Sequence, residues 1–276
     1  SCSPGWIKFL EQYYPDMLDN ISTCKSPQQM MGAIIKSFFA QKANIDPEKI
    51  FSVSVMPCTA KKFERQRPEM GQNNMLDIDA VLTTRELGRL IQMYGIDVNS
   101  MEPEGADTPF GERSTAGKIF GATGGVMEAA IRSAYFLVTG KELEDLNVEA
   151  ARGLDGIKEA AVDVDGTEVK VAVVSGLANA RKLLDEVKAG KREFHFIEVM
   201  TCPGGCVGGG GQPIGTDVDK VKKRTAALYK LDSESDVRVS HKNEWINRLY
   251  EEFLGKPLGE RSHKLLHTHY HKREMV

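Results

Sequence analysis

The sequence predicts an α/β fold with mostly parallel sheets flanked by helices, followed by a helical C-terminal segment. Three observations predict it. Short β-branched runs alternate with amphipathic stretches of helical length, the pattern of strand–helix–strand units with parallel pairing. The 276 residues, 41% hydrophobic and 27% charged, have the composition of a soluble globular chain. After Pro213 the strand signals stop and only helical patterns remain.

Each element has a local cause. Residues 6–18 form an amphipathic helix that Pro15 must interrupt, because proline brings no N–H donor. Residues 27–40 form a second helix, with Ser26 at its N-cap and Pro27 in its first turn. Residues 51–56 alternate with period two and read as a strand that runs directly into Pro57-Cys58. Residues 78–82 form a second strand. Thr83-Thr-Arg-Glu86 is a capping box that opens a helix through Met93, which Gly95 ends. Residues 98–118 are polar and carry glycine and proline, so they form a long loop. A helix follows over 126–136, then a buried strand over 169–174, a helix over 178–188 and a strand over 194–200. In the tail, residues 220–229 and 243–254 are helical; Trp245, Leu249 and Phe253 share one stripe of the second helix. The basic, histidine-bearing stretch from Arg261 onward reads as a solvated helix end.

Charge and hydropathy exclude several classes of function. Thirty-six basic against 39 acidic residues leave −3, which gives no reason to expect a polyanion such as nucleic acid as partner. No stretch of about 18 apolar residues could span a bilayer, and no signal peptide is visible. The expected location is therefore cytoplasmic. Five cysteines, an odd number in a chain too large to need disulfide staples, point to thiol or metal chemistry in a reduced compartment.

Cys58 follows one predicted strand, and Cys202 and Cys206 follow another. Ligands in open α/β sheets bind at the carboxyl ends of strands, so the three thiols can converge. The Cys202–Cys206 spacing is not that of zinc ribbons or thioredoxins, and iron–sulfur clusters need thiolates. Six glycines lie within the eight residues Gly204–Gly211. They let backbone press against a bulky group, and no phosphate-loop Lys-Ser/Thr follows them.

Met56-Pro-Cys-Thr-Ala-Lys-Lys-Phe-Glu64 resembles the second signature of iron-only (FeFe) hydrogenases. Glu198-Val-Met-Thr-Cys-Pro-Gly-Gly-Cys-Val-Gly-Gly-Gly-Gly-Gln-Pro213 resembles their third, and Cys2-Ser-Pro-Gly-Trp6 their first. Phe120-Gly-Ala-Thr-Gly-Gly-Val-Met-Glu128 is also similar to the family. The resemblance covers essentially the whole chain. It implies a two-lobed hydrogenase fold. Residues 1–214 would form the H-cluster domain that ends the family's large subunit, and residues 217–272 a small-subunit-like helical segment. Because the chain opens inside the first motif, further sequence is expected before Ser1, including two proton-path carboxylates and accessory cluster motifs.

What the resemblance implies for the site follows motif by motif. The family's H-cluster is a 4Fe–4S cubane joined by one cysteine sulfur to a diiron subsite carrying CO, cyanide and azadithiolate. Cys58, Cys202 and Cys206 would bind the cubane, with Cys206 also bridging to the diiron subsite. Lys61 would donate a charge-assisted hydrogen bond to a cyanide, with Glu64 as its pairing partner. Met56, with Pro57 beside it, and Met200 would form soft walls, for which ordinary core filling is the bland alternative. Gly121 would bring backbone close, and Gln28 would add a polar contact. Cys2 would deliver protons and Ser22 would relay them. The family's usual fourth cubane ligand is a cysteine where this chain has Ser3. Three readings stay open: Ser3 ligates through oxygen, Cys2 shifts to iron, or Cys24 approaches.

The implied reaction is reversible H2 oxidation and proton reduction under anaerobic conditions. The implied electron partner is ferredoxin or an NAD(H)- and flavin-binding subunit, as in an NAD-linked multimeric or electron-bifurcating complex. The alternatives are a non-catalytic iron–sulfur protein of cluster assembly and a zinc-structured binding domain.

Overall fold

The structure, a computed structural model, describes residues 1–72 and 74–274. These residues divide into two compact units that do not follow chain order. The first comprises 1–72, 74–112, 210–214 and 248–274; the second comprises 113–209 and 215–247.

In the first unit, β1 (Val53–Met56) pairs in parallel with β4 (Ala80–Thr83), in register from Val53 opposite Ala80 to Met56 opposite Thr83. Between them lie the short antiparallel strands β2 (Gly71–Gln72) and β3 (Met75–Leu76). The first helix, Pro4–Tyr13, buries Trp6, Ile7, Phe9 and Leu10. It stops before Pro15, which instead opens a 3₁₀ turn, Pro15–Asn20. The helix Pro27–Ile34 is capped by the Ser26 hydroxyl, which accepts the Gln29 N–H, and continues through a π-turn, Ile35–Phe39. Ala33 and Ile34 pack with Leu254, Leu265 and Leu266 of the tail. Thr83 and Glu86 complete the expected capping box of the helix Thr84–Met93.

The second unit is built on a mixed sheet in the order β5 (Ile157–Val164), β6 (Thr167–Ser175), β7 (Phe196–Met200). β6 and β7 are parallel, joined by the helix Leu177–Lys188, as strand–helix–strand spacing predicts. β5 is an addition to the predicted elements. It pairs antiparallel with β6 through the two-residue turn Asp165-Gly166, both at positive φ. The helix Gly125–Thr139 lays Met127 and Ile131 against Ala151, Val171 and Val173. The helix Val218–Ser233 contributes Asp232 to a fully buried charge cluster. There Arg132 bridges Glu128 (2.6 Å) and Asp232 (2.8 Å), and Thr115 donates to Asp232 at 2.8 Å. The loop at 98–118 carries two 3₁₀ turns, Val98–Ser100 and Thr115–Gly117, and a hydrogen-bonded turn from Thr108 to Gly111.

Candidate iron–sulfur site

In the first unit, parallel pairing brings the carboxyl ends of β1 and β4 to the same side. Met56, Pro57 and Cys58 leave β1 there, and the capped helix start at Thr83 leaves β4. The glycine-rich segment is fastened to both. Gly211 N–H donates to the Pro57 carbonyl at 3.0 Å, and the Gly211 carbonyl accepts the Arg85 N–H at 3.0 Å. A β-carbon on Gly211 would lie 2.8 Å from the Cys58 nitrogen and 3.1 Å from the Thr83 β-carbon. Only glycine lets the two segments approach so closely, which answers why this run lacks side chains.

Beside Cys58, the short helix Ala60–Glu64 carries a buried polar cluster. Lys61 donates to both oxygens of Glu64, at 2.9 and 3.0 Å. Glu64 also accepts from the Ser26 hydroxyl at 2.7 Å and from Gln28 Nε2 at 3.2 Å. Gln28 Nε2 reaches the Lys61 carbonyl at 3.5 Å, and Gln28 Oε1 accepts from the Ser54 hydroxyl at 2.7 Å. Lys61 is 6% exposed and Glu64 3%, so the pair is sealed from water. A buried ion pair adds little net stability, but removing one partner strands the other charge.

The Ser1 amine lies within electrostatic reach of Cys2, Cys24, Glu64 and Lys61, so the first motif's start adjoins the Lys61–Glu64 cluster. The Ser1 nitrogen donates to the carbonyls of Ser22 (3.4 Å) and Cys24. The Tyr270 hydroxyl donates to the Ser22 carbonyl at 3.1 Å. Ser3 begins the first helix as its N-cap, and its carbonyl accepts the Ile7 N–H at 3.1 Å.

In the second unit, Met200 ends β7, 3% exposed, and Cys202 follows it. The turn after Cys202 is fixed by three hydrogen bonds. Gly205 N–H donates to the Cys202 carbonyl (3.0 Å), Gly204 N–H to the Ser175 hydroxyl (3.2 Å), and Thr123 N–H to the Gly204 carbonyl (3.1 Å). Gly205 has φ +95°, and a β-carbon there would lie 2.8 Å from both the Gly121 carbonyl oxygen and the Thr123 nitrogen. Gly121 itself packs against Leu228, where a β-carbon would sit 2.8 Å from a methyl group. Glu198, on β7, accepts the N–H groups of Gly124 (2.7 Å) and Met127 (2.6 Å) and so caps the helix Gly125–Thr139. Burial pushes the Glu198 carboxyl up, against the pull of those two N–H groups.

Ser26, Ser54 and Glu198 are the residues whose part in these networks the motifs did not reveal. Ser26 is legible only as a helix cap. Ser54 lies on the face of β1 opposite its valines, and the strand alternation carried that signal. Glu198 opens the third motif, with nothing in the sequence to show that it reaches a distant helix start.

The residues suit an iron–sulfur group. All five cysteines are half-buried thiols outside any disulfide. Among the described residues, no three His, Cys, Asp or Glu side chains are grouped as a single metal ion would require. A cubane asks for a different arrangement, because each thiolate binds its own iron. Cys58 and Cys202 each follow a strand end. Cys58 belongs to the first unit, Cys202 and Cys206 to the second. No helix among the described residues is long and apolar enough to cross a membrane.

Comparison with known proteins agrees. Residues 1–210 match the C-terminal domain of the iron only hydrogenase large subunit, and residues 218–273 match the iron hydrogenase small subunit. The chain is 54% identical to the NADP-reducing hydrogenase subunit HndD of Solidesulfovibrio fructosivorans, covering 100% of this chain and 47% of that protein. It is 46% identical to iron hydrogenase 1 of Clostridium pasteurianum, covering 99% and 48%. It is also 33% identical to cytosolic iron-sulfur assembly component 3 of Rattus norvegicus, covering 100% and 59%. The chain thus spans about half the length of the hydrogenases it matches. An apo structure of the hydrogenase HydA1 from Chlamydomonas reinhardtii superposes with a TM-score of 0.87 at 42% identity, over 100% of this chain and 76% of that one. The fold is therefore that of the FeFe-hydrogenases, and the chain belongs to the iron-only hydrogenase family.

Proposed function

We propose that the chain is the catalytic part of a hydrogenase that interconverts H2 with protons and electrons at an H-cluster. The observation that carries this reading is the sealed Lys61–Glu64–Gln28 cluster directly after Cys58. The cluster places a buried ammonium three residues after the Cys58 thiol. Such a group suits cyanide-bearing iron, because the ammonium is a charge-assisted donor in a dry site.

Cys58, Cys202 and Cys206 would hold the 4Fe–4S cubane, and Cys206 would also serve the diiron subsite with its CO, cyanide and azadithiolate. Ser3 or Cys2 completes the cubane. When bound, the H-cluster supplies the redox chemistry of hydrogen. Lys61, held by Glu64, would orient it by donating to a cyanide. Met56, Pro57 and Met200 exclude water around it, and Gly121 brings backbone close. Cys2 holds and delivers the proton at its sulfur, and Ser22 passes protons outward. The large-subunit part is residues 1–214 and the small-subunit-like part 217–272. Electrons pass to ferredoxin or to an NAD(H)- and flavin-binding subunit, and the protein works in the cytoplasm.

The full-length protein, matured anaerobically with a diiron site, is expected to show infrared bands of bound CO and cyanide and to evolve or consume H2. Cyanide bands without hydrogen turnover would remove the catalytic reading. A cubane signal with no such bands would favour cluster assembly, the role named for the relative at 33% identity.

A further inference from the structure

The geometry points to Ser54 as the positioning residue that sets which way round the Gln28 carboxamide sits, and through it where the Lys61 ammonium is held. This rests on the reading above that Lys61 donates to the bound group.

A carboxamide has two ends of similar shape and opposite hydrogen-bonding character. Three groups face that of Gln28. Glu64 Oε2 at 3.2 Å and the Lys61 carbonyl at 3.5 Å can only accept, so both call for the NH2 end. The remaining end is then an acceptor, and the Ser54 hydroxyl, 2.7 Å away, must donate to it. Without that donor the carbonyl end is buried with no partner, since Gln28 is 3% exposed. Gln28 therefore has both ends engaged inside the protein. It acts on a bound group through Glu64 and Lys61 rather than by offering its own N–H.

The charge arrangement follows. Glu64 accepts four hydrogen bonds: two from Lys61, one from Ser26 and one from Gln28. An ammonium has three N–H donors. Two of Lys61's point at Glu64, and with the carboxylate fixed from three sides the direction of the third is fixed as well. Ser54 stands at the far end of this chain, on the inward face of β1, where its neighbours Val53 and Val55 point outward, 51% and 44% exposed. A polar residue inward between two apolar residues outward is the reverse of what a strand needs for packing, and the Gln28 contact accounts for it.

The test compares Ser54→Ala with Ser54→Thr, which keeps the hydroxyl on a β-branched residue suited to a strand. In the full-length protein without diiron site, side-chain amide protons of Gln28 are followed by NMR hydrogen exchange. They should exchange roughly tenfold faster in Ser54→Ala than in wild type, and near the wild-type rate in Ser54→Thr. In diiron-loaded protein, one cyanide infrared band should shift in Ser54→Ala and return in Ser54→Thr. Unchanged Gln28 exchange in Ser54→Ala overturns the positioning role. So does faster exchange with unmoved cyanide bands, because the coupling to Lys61 is then absent. If no variant or wild type shows cyanide bands, the proposed function fails instead, and the exchange result alone decides whether Ser54 orients Gln28.

Discussion

Replacing Glu64 by glutamine tests the buried pair most directly. Lys61 and Glu64 have side chains 8% and 3% exposed, and among the described residues Glu64 is the one anion paired with Lys61. Glu64→Gln keeps the shape but leaves a buried ammonium without a counter-charge, and places an NH2 group among donors. Removing one partner of a buried ion pair costs about 3–5 kcal/mol. Lys61→Met strands the opposite charge, but Glu64 keeps its hydrogen bonds from Ser26 and Gln28. Its loss should lie at the lower end, about 3 kcal/mol. The double variant Lys61→Met/Glu64→Gln is neutral, and its glutamine oxygen can still accept from Ser26 and Gln28. It should therefore lose less than the sum of the two, with a coupling of about 2–3 kcal/mol. The assay is hydrogen exchange of the β1 amides in urea, on protein without diiron site, so that the reading is local to this unit. A loss below about 1 kcal/mol for Glu64→Gln, or strict additivity in the cycle, would refute the argument, because a solvated pair behaves that way.

Four further outcomes follow from the geometry. Gly211→Ala places a β-carbon 2.8 Å from the Cys58 nitrogen, so iron bound after anaerobic reconstitution should fall sharply; Gly88→Ala, with nothing within 4 Å, should instead stabilise its helix by about 0.5–1 kcal/mol in urea unfolding. Glu198→Ala leaves the Gly124 and Met127 N–H groups unpaired and should cost about 2–4 kcal/mol, measured by exchange of the β7 amides. The Lys62 ammonium and the Thr83 N–H and hydroxyl hold the Glu86 carboxyl at about 2 against an ordinary 4.5. A depressed folded pKa means that its contribution is complete above 4.5 and lost as pH falls from 4.5 toward 2; carbon NMR should place its midpoint near 2, and Glu86→Gln should remove this part of the acid sensitivity. Cys2→Ala should lower hydrogen turnover by about a hundredfold or more while bound iron is unchanged; undiminished turnover would mean that protons enter elsewhere.

The helices were legible because their signals are local. Ser26 and Pro27, the Thr83–Glu86 box and Pro15 act on neighbouring backbone, and each stands where the sequence puts it. β5 was missed for a different reason. Its residues carry Lys158, Glu159 and Asp163 among alanines and valines, too polar for a buried-strand pattern and too irregular for a half-buried one. The signal that could have found it was the turn, since Asp-Gly between two runs favours a type I′ hairpin, and Asp165-Gly166 provides it at φ 54° and 84°.

β1 shows the deeper limit of sequence reading. Its alternation was visible, but alternation does not say which face is inward. The default assumption buries the valines, whereas Ser54 is buried, 9% exposed. Hydrophobicity alone cannot predict this, because the inward face meets the Gln28 carboxamide and not a hydrocarbon core. The same holds for Lys61 and Glu64. Three residues apart on one short helix, they could equally have been a solvated surface pair, worth little either way. Only the donors arriving from Ser26 and Gln28, 38 and 36 residues away, turn them into a sealed charge pair. The chain also buries Arg132 between Glu128 and Asp232, so burial alone does not mark a charge pair as chemical; what sets the Lys61–Glu64 pair apart is its place just after Cys58. Its presence next to a strand-end cysteine ties the local strangeness of β1 to the chemistry proposed for Cys58.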